Sequence, residues 1–356
     1  METVLVFPCG LPESVDYAEK ARLAGKRVVG ASSLRFDPAA VHYDDWHFLP
    51  YVHEEDFREQ LMRTLETTGA RAVFTPHDVV STVLSETLPD VPGVRLLNTS
   101  PVAAKMREYA ALNRRAGAIE GADDWFIEPM LPRLSGAKLS GTLRLVETIG
   151  GMTDHDKIAA LIEVFRCAPK GDIVEIGSWW GRSAALLLLL SKHYGIGNVL
   201  CVDPWINDRA VTDQGVEVLD QSSARVDWDD ACAIFQCNLA PLADGRLNVF
   251  RGVSAEAAKH YRPGAVVESD TFGQTEYSGR ISVLHIDGNH AFESADTDAK
   301  AWTPHMTPGG IVIFDDYVWA FGDGPKRVGD AYVAAHADRI AFSFVMGTAL
   351  FVKLAA

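Results

Sequence analysis

From residue 4 to residue 352 the chain alternates short apolar runs with amphipathic stretches of helical period, and this alternation most restricts its fold. Strands separated by helices pair in parallel, because a parallel neighbour is reached only through a crossover connection. The chain therefore reads as α/β. Runs at 4–7, 27–30, 46–49, 72–75 and 94–97 predict a first, small α/β sheet, with helices over 12–24, 54–68 and 79–86. A helix over 101–116 follows. Runs at 173–176, 199–202, 247–251, 281–286 and 310–314 predict five parallel strands after a helix over 154–167. Two further runs, 340–346 and 349–352, are joined by the tight Gly347-Thr348 turn and predict an appended hairpin. A chain of 356 residues accommodates two domains. The expected division is an N-terminal unit over 1–120, a Gly- and Pro-punctuated connection over 121–152 and a seven-stranded unit over 153–356.

Apolar residues make up 47% of the chain, enough for a full core. The formal charge of −15, with no basic stripe, argues against a phosphate backbone as partner. Cys9, Cys167, Cys201, Cys232 and Cys237 form no CxxC pair and are odd in number, which fits a reducing compartment. The first residues lack the basic start of a signal peptide, and the strongest apolar run, 184–190, is too short to span a bilayer. A cytoplasmic protein with no membrane partner is the expectation.

Two of the apolar runs stop abruptly at carboxylates. One ends Leu284-His285-Ile286-Asp287-Gly288-Asn289-His290 and the other Ile313-Phe314-Asp315-Asp316-Tyr317. Neighbouring parallel strands open their C-terminal ends onto one crevice, so Asp287, Asp315 and Asp316 are expected in one pocket with His290 a turn away. Hard oxygen ligands in that number fit Mg²⁺ or another divalent cation, and an adjacent imidazole fits a general base. Each Asp alone would more simply cap a helix; it is their coincidence that points to a metal. His285 alternates within its strand and is expected to pack or bond internally.

Upstream, Asp172-Ile-Val-Glu175-Ile-Gly177-Ser178-Trp179-Trp180-Gly181 reads as a strand, a glycine turn and a helix start. Gly177 permits a sharp turn, and Gly181 a close approach of ligand or helix to strand. Trp179 stands where a dinucleotide fingerprint would carry glycine, which would obstruct a pyrophosphate but would wall a smaller pocket. Asp203, at the next strand end, is placed to bind a ribose diol. Ribose without pyrophosphate points to S-adenosylmethionine rather than NAD.

This turn, Asp203 and the seven-strand ending resemble the class I S-adenosylmethionine-dependent methyltransferases. The resemblance is nearest to the metal-dependent O-methyltransferases of the macrocin and mycinamicin type, with cephalosporin-hydroxylase-like relatives. It covers roughly 153–353 and implies a Rossmann-like methyltransferase sheet. By that resemblance Glu175, Gly177, Ser178, Trp179, Gly181, Asp203, Ser254 and Asp287 contact S-adenosylmethionine. Asp287, Asp315 and Asp316 hold Mg²⁺, and His290 deprotonates the hydroxyl of a small acceptor. Two segments depart from the family's pattern. Residues 205–242, acidic and aromatic, are expected to form a lid or acceptor loop, and 263–279 has no assigned role. The first unit resembles the domains that precede ATP-grasp modules, and is expected to bind the acceptor or to support a homo-oligomer, dimer or tetramer. The competing readings are a metal-independent N-methyltransferase and a non-catalytic binding or scaffold protein of the same fold.

Overall fold

The computed structural model describes residues 1–125, 130–206 and 217–356. It divides into two compact units, Met1–Asn113 and Arg114–Ala356. The first is built on five parallel strands, β1 (Thr3–Val6), β2 (Arg27–Ser32), β3 (Asp45–Phe48), β4 (Ala72–Phe74) and β5 (Arg95–Leu96). Their order is β3-β2-β1-β4-β5. Side chains alternate between the two faces of this sheet. Leu5, Val29 and Val73 pack against Phe57, Leu61, Leu65 and Leu84 on one side, while Val4, Val6, Val28 and Ala72 meet Ala18 and Ala21 on the other.

The second unit contains β6 (Asp172–Ile176), β7 (Val199–Val202), β8 (Leu247–Phe250), β9 (Ala265–Ser269), β10 (Gly273–Tyr277), β11 (Ile281–Ile286), β12 (Met306–Phe314), β13 (Ile340–Met346) and β14 (Ala349–Leu354). Seven of these form one sheet in the order β13-β14-β12-β11-β6-β7-β8, and the β13–β14 hairpin is the antiparallel part. β6, β7, β11 and β14 are buried at every position, which is why they are written as unbroken apolar runs with so few polar residues.

Three segments differ from their sequence reading. Residues within the supposed 121–152 connection form a helix, Gly136–Thr148, because Leu139, Leu143 and Val146 recur at helical spacing and are buried. Much of 205–242 is also structural rather than a lid. Helix Trp228–Ala243 buries Cys232, Phe235 and Leu239, while residues 207–216 of that segment lie outside the described residues. Residues 263–279 form the antiparallel β9–β10 hairpin beside the edge strand β8. Asn248 of β8 donates to the carbonyls of Val267 and Gly273 at 2.9 and 2.8 Å, so its buried amide is satisfied by the hairpin. Among the described residues, no helix is long and apolar enough to cross a membrane.

Candidate active site

β12, β11, β6 and β7 are successive neighbours, so their C-terminal ends share one edge of the second unit's sheet. The glycine turn follows β6. At Gly177 φ is +80°, and a Cβ there would lie 2.0 Å from the carbonyl oxygen of Asp287. The cofactor-type turn and the carboxylate loop are thus in backbone contact. At Gly181, φ +88°, a Cβ would lie 2.2 Å from Leu239 Cδ2. The close approach anticipated there is made by helix Trp228–Ala243.

Asp203 holds this turn in shape. One carboxylate oxygen accepts from the amides of Ser178 (2.8 Å) and Trp179 (3.1 Å), and the other from Trp205 (2.9 Å). Burial raises its pKa, and the three amides act against that rise by favouring the charged form. Trp179 and Trp205 both adopt left-handed backbone, φ +48° and +44°. The Trp205 indole, 1% exposed, donates to the Trp179 carbonyl at 3.0 Å. Trp179 stacks on Trp180 with centroids 5.1 Å apart and meets the edge of Trp228 at 5.5 Å, forming an aromatic wall beside the turn.

Two residues expected to contact a cofactor face inward instead. Glu175 is fully buried, accepting from the Ser178 hydroxyl at 2.7 Å and lying 3.1 Å from His285 Nδ1. It presents no surface to a ligand, because an all-buried strand turns its side chain into the protein. Ser178 is likewise buried, its hydroxyl spent on Glu175. Ser254, at the start of helix Ser254–His260, is 8% exposed and accepts from Trp302 Nε1 at 2.8 Å.

The carboxylates separate into an inner and an open set. Asp315 is inner. Its Oδ2 bonds the ammonium of Lys157 and lies 3.2 Å from His285 Nε2; its Oδ1 accepts from the Thr348 hydroxyl (3.2 Å) and the Asp316 amide (2.8 Å). Burial opposes charge here, but Lys157 and His285 hold the Asp315 carboxyl well below the usual range. Burial likewise opposes the imidazolium of His285, and its bonds to Asp315 and Glu175 override that, raising its pKa to about 10. Both ring nitrogens of His285 thus face carboxylate oxygens of the protein itself. Lys157 is kept charged in the same way, burial being outweighed by Asp315 and Asp287.

Asp287, Asp316 and His290 form the open set, with side chains 24%, 24% and 22% exposed and one candidate ligand atom each within 4.8 Å of one another. Burial and the charge of Asp315 push the Asp287 carboxyl up. His290 Nε2 lies 2.5 Å from Asp316 Oδ2, and its ring stacks on Trp319 at 4.5 Å. The two open carboxylates fit a hard divalent cation that keeps some of its water, with the imidazole of His290 beside them. The inner set is already compensated by the protein's own cations. Of the residues now in view, Lys157, Thr348 and Trp319 escaped the sequence reading. For Lys157 a signal existed: it lies four and seven residues before the buried Leu161 and Val164, on the same helical face.

Residues 174–317 match the family described as "Methyltransferase domain". A curated protein of Streptomyces olivaceus, "8-demethyl-8-(2,3-dimethoxy-alpha-L-rhamnosyl)-tetracenomycin-C 4'-O-methyltransferase", is 27% identical over 188 residues, 52% of this chain and 67% of that protein. Two solved structures are also similar. The O-methyltransferase NovP shares 19% identity over 58% of this chain and 84% of its own, with a TM-score of 0.41. The calicheamicin methyltransferase CalS11 shares 14% over 65% and 99%, with a TM-score of 0.42. The match to the methyltransferase-domain family falls within the second unit, on its sheet from β6 to β12 and the turn after β6.

Proposed function

We propose that the enzyme transfers the methyl group of S-adenosylmethionine to a hydroxyl of a small molecule, a sugar or sugar-bearing natural product. The observation that carries this reading is the contact between the Gly177 turn and Asp287, which brings a methyl-donor pocket against a carboxylate–imidazole set. The tetracenomycin relative, named for O-methylation of a rhamnosyl group, supports the acceptor class. Asp203 and the Trp179 wall bind and orient the cofactor, and Glu175 and Ser178 stiffen the turn from beneath. Asp287 and Asp316 would hold a divalent cation such as Mg²⁺, with Asp315 behind them. When bound, the ion supplies Lewis acidity that lowers the pKa of a chelated hydroxyl. His290 accepts the hydroxyl proton, and Asp316 beside Nε2 stabilises the imidazolium that forms. The acceptor oxygen is then positioned for in-line attack on the methyl carbon.

The test is methyl transfer from isotopically labelled S-adenosylmethionine into a panel of glycosides, aglycones and amines, with the product bond identified by NMR. Label on a sugar oxygen, lost in His290→Ala, is expected. Label on nitrogen, or cofactor binding with no transfer to any acceptor, would contradict the proposal in favour of an N-methyltransferase or a binding protein.

A further inference from the structure

Behind the open carboxylates lies a cation that the chain itself supplies. Lys157 occupies the first turn of helix His155–Val164, and its side chain is 3% exposed. Its ammonium bonds the same Asp315 oxygen that His285 approaches. The other oxygen of Asp315 is taken by the Thr348 hydroxyl and the Asp316 amide. Four protein donors therefore enclose this carboxylate: one each from helix His155–Val164, β11 and the β13–β14 turn, and the amide of the next residue, Asp316. Asp154 ties two of these elements together, accepting from the Lys157 amide at 2.8 Å and the Thr348 amide at 3.4 Å. A divalent ion seated on Asp315 would have to displace an ammonium that has no water to retreat into.

Resting on the methyl-transfer reading above, we propose that Lys157 is the built-in counter-ion of this site. It fills the inner cation position beside Asp315 and confines an exchangeable divalent ion to Asp287 and Asp316. Lys157 is thus a positioning residue. Its ammonium occupies Asp315 Oδ2, so that Asp315 shapes the open set through the Asp316 amide instead of competing for the ion. His285, Asp287 and Asp315 have metal-ligand spacing, yet they are closed to a metal while the ammonium is present.

Lys157→Met keeps most of the side-chain volume and removes the charge. Mn²⁺ binding to the full-length protein, followed by electron paramagnetic resonance and calorimetry, reads out the vacated position. The variant is expected to bind one more Mn²⁺ per chain than the wild type, or the same number roughly tenfold more tightly, because a unit positive charge next to the carboxylates is gone. Its melting temperature should also rise more on adding Mn²⁺ than that of the wild type. A folded variant with wild-type stoichiometry and affinity would overturn the proposal. If Lys157→Met does not fold, Lys157→Met combined with Asp315→Asn removes both charges of the pair and should restore the fold. A double variant as unstable as the single one would equally overturn it. A wild type that binds no Mn²⁺, beside a Lys157→Met variant that does, would uphold Lys157 while refuting the divalent ion of the proposed function.

Discussion

Asp316 has an uncommon backbone for its residue type, φ +48°, and it has company. Of the four non-glycine residues with such φ among those described, Trp179, Trp205 and Asp316 all lie just beyond the strands that frame the candidate site. Each such residue costs about 1–3 kcal/mol, and persists where its surroundings over-determine it. Here Asp203 supplies that constraint for the two tryptophans and Asp315 for Asp316, through the amides they accept. Asp298 presents a different residue-scale problem. It is 8% exposed, and burial raises its pKa from 3.8 to about 6, with the Ser254 hydroxyl acting in the opposite direction. A carboxyl whose pKa is higher folded than unfolded favours the fold fully below about pH 4, and that contribution is lost as pH rises through about 6. Asp298→Asn is therefore expected to melt with the wild type near pH 4 and to exceed it in stability above pH 7, by up to about 3 kcal/mol. A melting series from pH 4 to 8 checks this; a difference that does not vary with pH would refute it. The strand-end carboxylates were legible in the sequence because largely apolar runs stop at them. Lys157 was not, since it meets Asp315 across 158 positions and only the helical spacing to Leu161 hints that it is buried.

At the scale of elements, the C-terminal hairpin does more than extend the sheet. Its Gly347-Thr348 turn lies against Asp154, where a Cβ on Gly347 would come within 2.5 Å of the carboxylate, and it delivers the Thr348 hydroxyl to Asp315. Asp154 caps helix His155–Val164 through the Lys157 amide. Asp154→Ala is expected to cost about 1 kcal/mol for the lost cap. That corresponds to a drop in Tm of roughly 2–4 °C for a domain of this size. An unchanged Tm by calorimetry would refute the coupling of helix and turn. The central strands and the hairpin were readable because double-sided burial demands continuous apolar sequence. The β9–β10 hairpin was not. Glu268, Gln274 and Glu276 face solvent, and the pairing is fixed by Asn248 and Tyr277, which bond to backbone carbonyls distant in sequence. Helix Gly136–Thr148 was hidden for the opposite reason: Gly136 and Gly141 read as breaks, and the burial of Leu139, Leu143 and Val146 outweighs their low propensity.

For the molecule as a whole, every residue assigned to the site belongs to the Arg114–Ala356 unit. The Met1–Asn113 unit has a complete parallel sheet and cores on both faces of its own. The α/β class and the seven-stranded ending were legible because alternation of strand and helix admits few topologies. What sequence could not convey was the allocation of charge: which carboxylates the protein neutralises itself, and which it leaves open. That allocation is the central claim, and it is tested most directly by methyl-transfer rate as a function of free Mg²⁺ in wild type and Asp316→Asn. Asparagine tolerates the left-handed backbone at this position, so the substitution removes charge with little strain. The account predicts that EDTA abolishes transfer in the wild type, that Mg²⁺ restores it, and that Asp316→Asn raises the Mg²⁺ requirement roughly tenfold or more. Undiminished transfer in EDTA, together with an Asp316→Asn variant as active as the wild type, would contradict it.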